Sequence, residues 1–122
     1  MHTILPETKE AFVALEVSGK LTELDYEILI PLFETQLEEH GKIALFWELK
    51  DFHGWTAGSL WENTKFDVKH AFDFTRVAVV GDRKWEERMA TFMKPFTSAE
   101  VRFFDSEDRD EAMRWARGEG AE

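Results

Sequence analysis

The 122-residue sequence contains no cysteine. That absence excludes disulfide scaffolds, thiol nucleophiles, thiolate zinc sites and iron–sulfur ligation. Its three prolines (Pro6, Pro31, Pro95) and seven glycines are scattered rather than clustered. No linker, repeat or low-complexity tract follows from them, so a single domain over residues 1–122 is expected. No apolar run approaches the roughly 18–20 residues of a membrane span, and the first ten residues lack the apolar centre of a signal peptide. A cytoplasmic protein fits these absences best.

Arginine is missing from the first half altogether; all seven lie between Arg76 and Arg117. Residues 1–61 carry 4 lysines against 11 acids (−7), and residues 62–122 carry 11 bases against 14 acids (−3), for a formal charge of −10. Such a balance argues against a nucleic-acid binder, which needs a basic stripe to displace counterions. An anionic bilayer at about −30 mV acts on each unit charge with roughly 0.7 kcal/mol, which disfavours constitutive membrane residence. Transient peripheral contact would have to present the second half of the chain.

What the chain does have is a core. Hydrophobic residues make up 43% and aromatics 14%, including 5 Trp and 11 Phe. Residues 1–5 read as a short edge strand and 11–19 as a strand ending at Gly19. Thr22 is a candidate N-cap with Asp25 in the first turn. Leu24, Ile28, Leu32 and Leu37 follow at helical spacing to Gly41, with Pro31 predicting a kink or restart. Residues 42–50 and 74–81 are near-continuous apolar runs, typical of strands covered on both faces. Between them, 51–58 reads as a loop and 59–71 as a helix. Asp82 offers an N-cap for a helix over 83–94, 100–104 is a last strand, and Ser106 opens a final helix to Arg117. The order predicts an α/β fold: a mixed, largely parallel sheet with covering helices, in which a tight connection would allow the first strands to pair antiparallel.

Two aromatic constellations stand out. The first surrounds Gly54: Trp55 and Trp61, with Phe52, Phe66 and Trp47 near in sequence, can line an apolar pocket at the carboxyl ends of the strands. The same rings can simply fill the core beneath a long loop. The second is the 83–94 helix, where Trp85, Met89, Phe92, Met93 and Phe96 interleave with Arg83, Lys84, Arg88 and Lys94. Such a stripe either faces the sheet or forms a mobile amphipathic flap. Arg76 reads as a charge pairing with Asp73 or, with Arg83, as a contact for an anionic headgroup.

Catalytic signals are sparse. His53 beside Asp51 and Thr56 is the one conceivable acid–base group, and neither it nor His70 has a metal-ligand spacing. No phosphate-loop glycine pattern occurs. No catalytic residue, metal or cofactor is therefore assigned.

Several pieces in order resemble the SpoIIAA-like family of small bacterial proteins, relatives of STAS domains. They are Val17, Ser18 and Gly19; Thr22, Asp25, Tyr26 and Pro31; Glu48, Leu49, Phe52, Gly54 and Trp55; Trp61, Lys65 and Phe66; the run from Arg76 to Asp82; Trp85; and Glu111, Ala112 and Trp115. The resemblance implies a mixed sheet with helices, similar also to the lipid-carrying CRAL-TRIO fold, and suggests apolar-ligand binding with membrane association. In the anti-sigma-factor antagonists among these relatives a serine following an aspartate is phosphorylated. Here Asp51 is followed by Phe52, and the nearest hydroxyls, Thr56 and Ser59, are the candidate phospho-sites.

The resulting expectation is a non-enzymatic domain binding a small apolar or amphipathic ligand, such as a lipid. Its site would comprise Trp55, Trp61, Phe66, Trp85, Met89 and Phe92, between the sheet and the helices at 59–71 and 83–94. The alternative is a regulatory module that docks a basic protein partner through Glu23, Asp25, Glu27, Glu34, Glu38 and Glu39. A C2 homodimer through exposed aromatics is compatible with either.

Overall fold

The computed structural model describes residues 1–56, 58, 73–93 and 99–118, without the side chains of residues 89, 92 and 93. In chain order the elements are β1 (His2–Ile4), β2 (Phe12–Leu21), α1 (Glu23–His40), β3 (Ile43–Trp55), β4 (Phe74–Gly81), α2 (Lys84–Met93), β5 (Glu100–Asp105) and α3 (Arg109–Ala116), with a 3-10 turn at Ser106–Asp108 before α3. The strands form one five-stranded sheet in sequential order. β1 runs antiparallel to β2, and β2 through β5 are parallel. The expected helix at 59–71 lies outside the described residues. Among those described, no helix is long and apolar enough to cross a membrane.

Side-chain alternation along the strands splits the core in two. Val13, Leu15, Val17, Leu45, Val77, Val79 and Val101 meet Tyr26, Leu29 and Phe33 of α1 and Ala90 of α2 on one face. Ala14, Phe46, Ala78, Val80 and Phe104 meet Ala112, Met113 and Trp115 of α3 on the other. Coverage on both faces is why the centre of β4 is apolar at every position rather than every second one. α1 and α2 share a face, and the strand order never reverses. The described sheet therefore has no switch-point crevice of the doubly wound kind.

Thr22 and Asp25 form a full capping box at the start of α1, each bonding the other's backbone N–H. The buried stripe of α1 differs from the expected one: Tyr26, Leu29, Phe33 and Leu37 face the sheet, while Leu24 and Ile28 point to solvent. The helix carries apolar residues on both sides, and the two rings, having more surface to bury, take the sheet side. Pro31 does not restart the element, which is one helix from Glu23 to His40. Pro31 and Glu27 are both exposed, so the carbonyl deprived of its donor is left to water.

Asp25 is more than a cap. Its carboxylate accepts from the Met1 amine at 3.1 Å and lies 2.6 Å from His2 Nδ1, tying β1 to α1. Burial alone would raise its pKa, but the Thr22 amide, His2, the Met1 amine and the Thr22 hydroxyl together lower it from 3.8 to about 2. A depressed folded-state pKa contributes stability that is complete above the unfolded value and disappears as pH falls through the folded one. Here it amounts to about 2 kcal/mol. Asp25→Asn should lower the melting temperature at pH 7, and the gap from wild type should narrow as pH falls from about 5 to 2. A gap that stays constant over that range would contradict the assignment.

Two helix starts also differ from expectation. Asp82 does not cap the helix after β4; the Glu86 carboxylate folds back onto the Asp82 and Arg83 N–H groups instead. Ser106 opens the 3-10 turn rather than α3, whose preceding Asp108 makes no side-chain cap bond.

Candidate functional site

The segment expected to be a loop after residue 50 is strand as far as Trp55. It is bulged twice. From Val17 to Gly19 β2 advances two residues while β3 advances three, from Leu49 to Phe52; from Gly19 to Lys20 it advances one while β3 advances two, to Gly54. Asp51 (φ +49°) and Gly54 (φ +96°) absorb the two extra residues in conformations with positive φ. Bulges re-aim the side chains beyond them, and here those side chains are Phe52 and Trp55.

Phe52 is fully buried at the centre of an aromatic group. Trp55 meets it edge-on at 5.1 Å between centroids, and Trp85, from the first turn of α2, stacks on it at 5.8 Å and 21°. The Trp55 indole N–H donates to the Tyr26 hydroxyl at 2.9 Å, linking the group to α1. Trp85 remains 39% exposed, so one large apolar surface stays open where its neighbours are covered. Beside it the Arg83 guanidinium donates to the Phe52 carbonyl (3.2 Å) and to Asp51 Oδ1 (3.4 Å). The site therefore joins an apolar platform to a half-exposed cation.

Beneath Arg83 the Glu86 side chain is buried, with Oε1 on the Asp82 and Arg83 amides and Oε2 unpartnered. Burial pushes its pKa up, against the two amides that hold it down. Gly81 makes room for this carboxylate: a Cβ there would lie 2.3 Å from Glu86 Oε1. Any larger residue at this strand end would displace the carboxylate from its place on the Asp82 and Arg83 amides.

The other candidates fall elsewhere. Trp61, Phe66 and Ser59 lie outside the described residues, as do the side chains of Met89 and Phe92. The Thr56 hydroxyl donates to the Glu23 carboxylate of α1. A phosphate at Thr56 would meet that carboxylate as a like charge. Arg76 bonds the Trp115 carbonyl at 2.8 Å and lies over its ring, on the α3 face of the sheet, rather than pairing with Asp73. His53, Asp51 and Thr56 are not assembled as an acid–base group: Asp51 turns to Arg83, Thr56 to Glu23, and His53 is exposed.

Three features escaped the sequence reading. Tyr26, the single tyrosine, was an unrecognised partner for Trp55. Glu86 stands three residues after Arg83, the spacing of a carboxylate that reaches back to its helix start, but Asp82 was the more conspicuous cap. On the α3 face, buried Glu48 accepts from Arg109 Nε at 2.8 Å, with Lys50 bridging Glu16 and Glu48 at 3.4 and 3.9 Å. That hydrogen bond raises the Arg109 pKa further. Sixty-one residues separate the pair, so no local pattern announces it.

Comparison with known proteins agrees with this architecture. An uncharacterised protein of the DUF3478 family from Shewanella loihica PV-4, with a SpoIIAA-like fold, is similar at a TM-score of 0.80 and 29% identity, over 94% of this chain and 93% of that one. No curated protein matches the chain. The SpoIIAA-like family model matches residues 12–117, which takes in every described strand but β1, the three described helices and the aromatic site: the chain belongs to the SpoIIAA-like family.

Proposed function

We propose that this domain is a non-enzymatic binder of a small amphipathic ligand. The apolar portion lies against Trp85, over Phe52 and Trp55, and an anionic head meets Arg83. Trp61, Phe66, Met89 and Phe92 are the sequence's further candidates for the lining. The observation that carries this reading is the exposed Trp85 indole stacked on a buried phenylalanine with a half-exposed guanidinium alongside. Aromatic platforms of this kind give a large contact area at little conformational cost. The neighbouring Asp51 and Asp82 carboxylates engage Arg83 only loosely, at 3.4 and 3.9 Å, so a ligand carboxylate or phosphate can compete for it. Loading would occur by transient contact of α2 with a cytoplasmic membrane surface, the acidic half of the chain turned away.

Thermal melts with palmitate and with lysophosphatidylglycerol, alongside native mass spectrometry of protein purified from its own host, test the proposal. A concentration-dependent rise in melting temperature with either amphiphile, or a co-purified amphiphile mass, is expected. No shift with either, together with an empty protein, would overturn it.

A further inference from the structure

The outward side of α1 is apolar where a surface helix is ordinarily polar. Leu24 is 71% and Ile28 55% exposed. At about 100° per residue, Leu24, Ile28, Pro31 and Thr35 fall in one narrow stripe, nearly opposite the stripe of Tyr26, Leu29, Phe33 and Leu37 that packs on the sheet. On the same projection Glu27, Glu34 and Glu38 form a row along one flank of the stripe, and Glu39 stands on the other. Glu27, Glu38 and Glu39 are exposed, and among the described residues none is paired with a lysine or arginine. Asp25 takes no part in this surface, since it is turned into the cap with His2 and the Met1 amine. Leu24 and Ile28 therefore serve neither the core nor the aromatic site.

We propose that this face of α1 docks a cationic amphipathic helix of a protein partner, its apolar side chains on Leu24 and Ile28 and its lysines or arginines against Glu27 and Glu38. The charges select this occupant over the others. A second copy docking α1 on α1 would set these carboxylates against their own equivalents, and an anionic bilayer would be repelled by the same row. An apolar stripe bordered by one sign of charge is the surface that fits a helix with an apolar face and the opposite charge.

The probe is a synthetic 16-residue helical peptide with leucines at i, i+3, i+4 and i+7 flanked by lysines, compared with a scrambled peptide of the same composition. Amide chemical-shift mapping on the full chain should place the designed peptide on residues 24–39, with the scrambled peptide binding at least tenfold more weakly. Leu24→Ser/Ile28→Ser alters exposed positions without altering charge. It should weaken binding about tenfold or more, because the peptide leucines lose their apolar seat, with the circular dichroism spectrum unchanged. Glu27→Gln/Glu38→Gln should flatten the salt dependence of binding. Equal affinity for the scrambled peptide, shifts centred on another element, no binding at low salt, or a Leu24- and Ile28-dependent dimer of the protein itself would each overturn the proposal.

Discussion

Phe52→Ala is expected to destabilise the protein by about 3–5 kcal/mol, the range for removing a fully buried phenyl ring from a packed core. Phe52 meets Trp55 at a right angle and stacks on Trp85, so neither indole can fill the void without abandoning a second contact. Trp55 is held by Tyr26, and Trp85 is held by the start of α2, which is fixed through Glu86. Denaturant unfolding should show the loss as a lower midpoint with little change in slope. Tryptophan emission of the folded variant should shift to the red as Trp85 loses the surface it rests on. Phe52→Leu, which keeps most of the volume, should cost less and retain most of the emission. An alanine variant within 1 kcal/mol of wild type, judged against the usual cost of a large-to-small core change, would mean that the three rings do not act as one packed unit.

Glu48→Ala should cost about 3 kcal/mol, near the lower end for breaking a buried ion pair, because the Arg109 side chain retains some contact with water. The carboxylate is buried in the sheet face beneath α3, and its loss strands Arg109 over the Phe46 ring with its hydrogen-bond acceptor gone. The cost comes from the orphaned charge rather than from the pair as such. Replacing both partners together, Glu48→Met with Arg109→Met, should consequently recover much of the stability. Denaturant melts of Glu48→Met, Arg109→Met and the double variant check this. A double variant no more stable than the sum of the singles would show that the two side chains are not energetically coupled.

The architecture was legible because both local and periodic signals point the same way. Thr22 and Asp25 announce the start of α1, the run from Phe74 to Gly81 is apolar enough to be nothing but an interior strand, and the alternation of strands with helices calls for parallel pairing. What was not legible depends on choices between near-equals. Leu24, Ile28 and Leu32 keep helical spacing as well as Tyr26, Leu29 and Phe33 do, and only the sheet decides which row is buried. The strand beyond Lys50 was hidden because glycine and aspartate usually mark turns. In β3 they mark bulges, at Asp51 and Gly54, in a strand that continues to Trp55. Of the candidate site, Trp55, Trp85 and Arg83 do meet around Phe52, which the sequence had placed near the same loop. Of the residues that hold that group in place, Tyr26 carries no signature at the sequence level, since its partner lies across the fold; Glu86 has the spacing of a carboxylate that reaches back to its helix start, beside the more conspicuous Asp82.

The central claim is that Trp85 and Arg83 together receive an amphipathic ligand. It is tested most directly by titrating palmitate into the wild-type protein and the Trp85→Ala and Arg83→Ala variants, with binding read by equilibrium dialysis. Trp85→Ala should weaken binding at least tenfold, through loss of the apolar platform. Arg83→Ala should weaken it severalfold and remove most of its dependence on ionic strength. Saturable binding to wild type with both losses is the predicted result. Equal affinity in all three proteins, or no saturable binding to wild type, would contradict it.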